Sequence, residues 1–437
     1  MKKVLFVFGL SLVVLMGKAQ KIYSLEECID QALRHSGRTQ LASLALRDAE
    51  VDVTRANQLR LPNANVGLGH GLNFGRSIDP STNTFITEQI TRGGFSGSAY
   101  LPIWQDGQLI KNAKSFKYAS EASALSLKNE EIGLKFQVAL AYMQLLSNKE
   151  MAVRAELQEK TTNNQLERLK VLSKQGALVP SQLADMQGQF AQDQLNTLSS
   201  KQQVKAAKLS LAQLMNITYD ESMDIKNDQN NMPSPDLELN NKLVNALTDH
   251  PMIKAQELQI KSAEMGLAAA KSARYPQLGI SFNLGSSYSS AFKLNNTEVG
   301  YPKQLSNNFN YSTLLSVDVP ILNGYRTRMN IKKAENSIER AKVNYDVAKN
   351  TIQQQIEEAK FQLDNAVEKY RLSEVQVKSF EESFHIAETR FNNGVTNSTV
   401  EYIIAKNNYD RAQNQLIASK YEWAIRNKIV EYFESLK

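Results

Sequence analysis

The chain has 437 residues, of which 42% are hydrophobic and 22% charged, so wholesale disorder is excluded. Its mean hydropathy of −0.40 is too polar for a bundle of membrane-spanning helices. A single cysteine, Cys28, excludes a disulfide framework and a four-cysteine zinc site, and the formal charge of +6 falls to 48 basic against 45 acidic residues once Lys2, Lys3 and Lys18 are set aside, too balanced to argue for nucleic acid.

Those three lysines belong to an N-terminal address. Lys2 and Lys3 precede a short apolar run, Val4 to Met16, and Gly17-Lys18-Ala19 offers small residues at −3 and −1 of a cleavage site. The run predicts a signal peptide over 1–19, cut after Ala19, because about 13 apolar residues do not span a bilayer. Cys28 follows Glu27 and lacks the small residue that lipid attachment needs, so no acyl anchor is expected. The chain is read as exported. No later segment holds 18 consecutive apolar residues, so any membrane passage has to be a β-barrel.

Past the address, Ser24 and Glu27 form a capping box that opens the first helix. From there the chain repeats. Ala32-Leu33 returns as Ala246-Leu247 and Arg60-Leu61-Pro62 as Arg274-Tyr275-Pro276, both at an offset of 214 residues. Leu101-Pro102-Ile103 returns as Val319-Pro320-Ile321 and Gly176 as Gly394, at an offset of 218. Each repeat therefore reads as helix, strand hairpin, long helix, tip and return helix. The first occupies 20–215, with its strands at about 63–104 and its helical hairpin at 106–215. The second occupies 240–437, with strands at about 277–321 and helices at 324–435. A linker at 216–239, rich in Asn and Asp and holding Pro233 and Pro235, joins them.

The strand segments alternate with period two. Val66, Leu68, Leu72 and Phe74 alternate with Gly67, Gly69, Gly71, Asn73 and Gly75, with His70 as the exception. Phe95, Gly97, Ala99, Leu101 and Ile103 alternate with Ser96, Ser98 and Tyr100. Leu278, Ile280, Phe282 and Leu284 alternate with Gly279, Ser281, Asn283 and Gly285. Tyr311, Thr313, Leu315 and Val317 alternate with Ser312, Leu314, Ser316 and Asp318. The lengths suit tilted membrane strands, and the small uncharged face suits a pore lining. Trp104, Tyr275 and Tyr325 fall where an interfacial aromatic belt would sit. Four strands cannot close a barrel, and open edges in lipid are costly, so other copies have to complete it. Two copies give eight strands and three give twelve; the arithmetic does not choose.

The long helices carry a seam. Ile331, Ala334, Ile338, Ala341, Tyr345, Ala348 and Ile352 advance by threes and fours, and the series continues through Ile356, Ala359, Leu363, Ala366 and Tyr370. This is a heptad stripe with one stutter, and it predicts coiled-coil packing. No proline interrupts 106–179 or 324–437.

The doubled order, the Leu25…Ala32-Leu33 opening, and the Val319-Pro320-Ile321-Leu322-Asn323-Gly324 turn with its looser partner at Leu101–Gly107 resemble the TolC-type outer-membrane efflux family. The resemblance implies an α+β membrane protein, a homotrimer with a twelve-stranded β-barrel and a long helical coiled-coil barrel. It implies a bacterial outer membrane location reaching into the periplasm, with a periplasmic adaptor and an inner-membrane transporter as partners. It also implies adaptor docking at the helical tips, here Gly176, Pro180, Ser181, Gly394, Ser398 and Thr399, and a periplasmic gate of acidic residues, here Glu401 and Asp185. Ile403 and Ile404 follow Glu401, so a second acidic residue is missing from that turn.

The chain is read as a non-enzyme without cofactor or metal. His35, His70, His250 and His385 have no metal-ligand spacing, and no phosphate loop or nucleophile motif occurs. The expected function is a passive duct for efflux or type I secretion, exporting small toxic molecules or protein. The alternative is an exported structural coiled coil or adhesin-like protein.

Overall fold

The structure is a computed structural model and describes residues 22–79, 81–176, 179–226, 246–295, 297–394 and 398–435. The expected signal peptide, Pro233 and Pro235 of the linker, and residues 177–178 and 395–397 at the tips lie outside the described residues. Contacts divide the chain into two compact units that do not coincide with the two sequence repeats. One comprises Met1–Gln40, Glu130–Ala246 and Gln354–Lys437, the other Leu41–Asn129 and Leu247–Gln353, so each draws on both repeats.

Element starts recur at the two offsets of the repeat. Helices α2 (Gly37–Gln58) and α6 (Pro251–Ser272) have 22 residues each and start 214 apart. Helices α3 (Gln108–Lys174) and α8 (Arg326–Asn392) have 67 residues each, and α4 (Pro180–Leu214) and α9 (Ser398–Ser435) follow them; both pairs start 218 apart. At 1.5 Å per residue, α3 and α8 are each about 100 Å long. α3 starts at Gln108 because Asp106 and Gly107 both take positive φ, 48° and 66°. Gly324 and Tyr325, 218 residues on, repeat that pair at 60° and 61°. The turn is thus kept while its glycine moves by one position.

In the unit holding the sheet, β2 (Asn63–Asn73), β5 (Ile90–Trp104), β7 (Gln277–Ser289) and β10 (Asn310–Asp318) form one antiparallel sheet in the order β10-β7-β5-β2. The register places like with like. Val66 faces Gly97 and then Leu284 and Tyr311; Leu68 faces Phe95; Leu101 faces Ile280 and then Leu315. One face of all four strands is therefore apolar. The other carries Gly67, Ser96, Gly285 and Asn310 on one rung and Asn65, Ser98, Asn283 and Ser312 on the next. A bulge between Pro102 and Trp104 sets Trp104, rather than Ile103, opposite Leu278 on the apolar face.

At the far end of that face, helix α7 (Tyr301–Asn307) packs on β7. The Tyr301 ring lies 4.2 Å from that of Tyr288 and 5.9 Å from that of His70, over Gly93, where any Cβ would collide with it. From the Trp104 level to Tyr288 is ten residues of β7. That is about 33 Å along the strand and, at a tilt of about 40°, about 25 Å of height, the thickness of an outer-membrane apolar band. Beneath the sheet, α3 and α6 approach closely through small residues. Ser115 Oγ donates to the Ser262 carbonyl and Ser262 Oγ to the Ser115 carbonyl, both at 2.8 Å, with Gly266 alongside.

In the other unit, β1 (Ile22–Tyr23) pairs in parallel with β6 (Asp224–Ile225), so the start of the expected linker is tied down. Helix α1 (Leu25–His35) has both capping-box bonds, Glu27 N–H to Ser24 Oγ at 3.2 Å and Ser24 N–H to Glu27 Oε2 at 2.8 Å. Its Cys28 and Ala32 join Val138, Tyr142, Leu145, Leu211, Met215 and Tyr421 in one core. Each such large apolar side chain contributes ~1.5–3 kcal/mol by burial. Every member of the α8 seam from Ile331 to Tyr370 is buried or half-buried, as the heptad reading requires.

Candidate functional site at the helical tips

The two helical tips share one geometry. Gly176 and Gly394 both have φ +72°, and each donates its N–H to the carbonyl three residues earlier, Ser173 and Phe391. A left-handed residue ends each long helix, where a Cβ would cost ~1–2 kcal/mol. Pro180 then occupies the first turn of α4, where its missing N–H is harmless.

Just inside the tips, the ends of α3 and α8 and the starts of α4 and α9 close around an apolar cluster. Leu166, Leu169, Met186, Phe391 and Tyr402 are its buried members. The Tyr402 ring stacks on Phe391 at 4.6 Å and tilts against Phe384 at 5.7 Å. Among the described residues the Tyr402 hydroxyl has no hydrogen-bond partner, and burial pushes its pKa well above the usual phenol range. Arg168 binds the Asn392 side chain and carbonyl and lies over the Phe391 ring, fastening α3 to the end of α8.

One layer deeper sits a buried ionic network. Lys406 of α9, 3% exposed, places Nζ 2.9 Å from Asp193 Oδ2 of α4 and 2.7 Å from Asp410 Oδ2. Thr162 of α3 donates to the same Asp193 oxygen at 2.5 Å, and Gln189 Nε2 donates to Asp193 Oδ1 at 2.8 Å. Gln189 and Asn407 exchange amide hydrogen bonds at 3.0 and 2.9 Å. The network links α3, α4 and α9, and so the return helices of both hairpins. Two carboxylates share one ammonium. Burial, with the Asp193 charge added, raises the pKa of Asp410 above the usual carboxylate range, against the pull of Lys406.

The expected site residues fall around this core. Asp185 and Glu401 come together: with Ser181, Ile386, Thr399 and Ile404 they line one groove of about 700 Å³. Thr399 is buried and Ser181 exposed, whereas the Ser398 side chain lies outside the described residues. Glu401 is not a free carboxylate, because Arg390 Nη1 lies 2.8 Å from its Oε1 at the surface. The sequence reading missed the Lys406 network. Its signal was present: Tyr402, Lys406, Tyr409 and Gln413 share one face of α9 at helical spacing, so a lysine stands on the inward stripe. Among the described residues no helix is long and apolar enough to cross a membrane, and no three His, Cys, Asp or Glu side chains are grouped to hold a metal.

Residues 243–428 match the family model described as outer membrane efflux protein. Over 409 residues the chain is 21% identical to the toxin and drug export protein A of Aggregatibacter actinomycetemcomitans, covering 90% of this chain and 84% of that protein. The fold is similar to that of CusC, with TM-score 0.80, 14% identity, and 94% and 91% of the two chains covered. It is also similar to that of VceC from Vibrio cholerae, with TM-score 0.77, 16% identity, and 94% and 95% covered. Residues 243–428 are thus similar to that family, and the chain as a whole shares the fold of these solved proteins.

Proposed function

We propose that three copies of this chain close a twelve-stranded barrel and form an efflux duct, gated at its periplasmic helical tips. The supporting observation is the register of the four-stranded sheet, which is apolar on one face, small and polar on the other, and unpaired along β2 and β10. In lipid each unpaired edge group costs several kcal/mol, so the edges of neighbouring copies pair. An eight-stranded barrel has a lumen filled by side chains. Three successive rungs of the polar face carry only Gly, Ser and Asn, too small to fill one, which favours twelve strands over eight. The signal peptide, cleaved after Ala19, delivers the chain to this route.

The tips dock a periplasmic adaptor, which joins the duct to an energised inner-membrane transporter. Gly176, Pro180, Ser181, Gly394, Ser398 and Thr399 shape the docking turns, and the Asp185–Glu401 groove lies beside them. The Lys406 network holds α4 to α9, so opening either breaks it or carries both helices together. The adaptor opens the duct only by binding the open arrangement better than the closed one. The relative described as a toxin and drug export protein supports a cargo of small toxic molecules or secreted protein.

Paired cysteines along β2 and β10, scanned for register in an otherwise complete chain, test the assembly. Oxidation is expected to give a covalently closed trimer in outer-membrane extracts. A ladder ending at dimer, or no cross-link at any register, would overturn it.

A further inference from the structure

On the small-residue face of the sheet, the ladder positions of all four strands hold two charged side chains. Asp318 stands on the last rung at the helix end, opposite Gln277. Arg92 stands near the other end, opposite Gly71 on one side and Ser289 on the other. The next rung inward is Gly69, Gly94 and Ser287, and the two after that carry only Gly, Ser and Asn. A Cβ at Gly69 or Gly71 would meet nothing within 4 Å, so no internal packing demands glycine there. Arg92 is exposed and, among the described residues, has no ion-pair partner. It is nonetheless held: its Nη2 donates to Ser77 Oγ at 2.8 Å, and Ser77 is buried in the short β3 (Arg76–Ile78), paired with β4 (Phe85–Thr87). The guanidinium is thus a positioned charge above a bare wall.

We infer that Arg92, one per copy, forms a ring of positive charge at the outer end of the bore and makes the exit favour anions. The inference rests on the duct reading, which turns the small-residue face toward the lumen. A like-signed ring on low-dielectric walls focuses the field and raises the local concentration of counter-ions. A guanidinium offers a planar fork of donors, which suits carboxylate, sulfonate and phosphate groups. Asp318 gives the opposite end of the same wall the opposite sign. A solute leaving through the barrel therefore passes from an acidic to a basic level. Glu88 and Asp79 lie in the same loop region as competing charges, and neither is ion-paired to Arg92 among the described residues.

The test is the reversal potential of the full-length assembly in planar bilayers under a KCl gradient. Arg92→Cys is compared with the parent before and after a cationic or an anionic methanethiosulfonate. The native thiol does not interfere, since Cys28 is fully buried and burial pushes its pKa up to about 12. Arg92→Cys is expected to raise the potassium-to-chloride permeability ratio roughly sevenfold, because about one kT of lost potential favours the cation and disfavours the anion by a factor of e each. The cationic reagent restores the parent ratio and the anionic reagent raises it further. Arg92→Lys keeps the parent ratio although it loses the planar fork. A conducting channel whose ratio ignores Arg92→Cys and both reagents overturns the inference and leaves the duct reading intact. Folded, inserted protein with no conductance overturns the duct reading and the inference with it.

Discussion

Replacing Lys406 by Met is the perturbation with the largest consequence at the tips. Lys406 is 3% exposed and neutralises Asp193, 5% exposed, as well as Asp410. Methionine fills the space of the lysine stem but leaves two carboxylates facing each other out of water. Breaking a buried pair by removing one partner costs ~3–5 kcal/mol. A local opening free energy reduced by that amount raises the open population ~100-fold to several thousand-fold. Hydrogen exchange on the detergent-extracted assembly, read by mass spectrometry over 186–197 and 402–413, measures this directly. Exchange is expected to accelerate ~100-fold or more there, while peptides of α1 and the Cys28 core stay at parent rates. The surface pair Arg390–Glu401 supplies the contrast, with side chains about half exposed. Arg390→Gln should change exchange by less than fivefold, because such pairs contribute ~0–1 kcal/mol. Replacing Lys406, Asp193 and Asp410 together by apolar residues should recover most of the loss. Acceleration below threefold in Lys406→Met would refute the view that this network holds α4 to α9.

Three further outcomes follow from the same geometry. Gly394→Ala forces a Cβ onto φ +72° and should lower the thermal stability of the second tip by ~1–2 kcal/mol, measured by exchange over 386–394. Leu315→Arg places a charge mid-strand on the apolar face opposite Ile280 and should cost ~2–4 kcal/mol in reversible unfolding from bilayers; Ser316→Arg, on the other face, should cost far less. Because the folded state holds the Asp410 pKa above its unfolded value, it takes up that proton first as pH falls. Exchange over 402–413, corrected for its intrinsic pH dependence, should therefore slow between neutral pH and the unfolded Asp value of ~3.9, and Asp410→Asn should abolish the slowing. Faster exchange on acidification would mean that the Lys406 ion pair dominates instead.

The parts legible in the sequence are those written as periodicity. Strand alternation placed Val66, Leu68, Leu284 and Leu315 on one face, and the ladder register agrees at each. The seam from Ile331 to Tyr370 is inward-facing along its whole length because each Ala and Ile recurs at helical spacing. The two offsets, 214 and 218, recur at the starts of α2, β2, α3 and α4 with their counterparts. What stayed hidden depends on pairing across distant segments. The Pro102–Trp104 bulge is set by the partner strand β7, so alternation alone put Ile103 where Trp104 lies. Helix α7 covers β7 through Tyr301 only because residue 93 is glycine. At the tips, Glu401 was visible as an acidic residue, but its partner Arg390 sits on the other helix of the turn. Lys406 and Asp193 are 213 residues apart, and no local pattern joins them.

The central claim is that several copies complete one barrel. The direct measurement is the native mass of the detergent-extracted mature protein, with negative-stain images of the same sample. The account predicts a three-fold assembly containing a hollow rod at least as long as one 67-residue helix, about 100 Å. A monomer that stays soluble without detergent would contradict it, because the apolar face of the sheet would then have no lipid to meet.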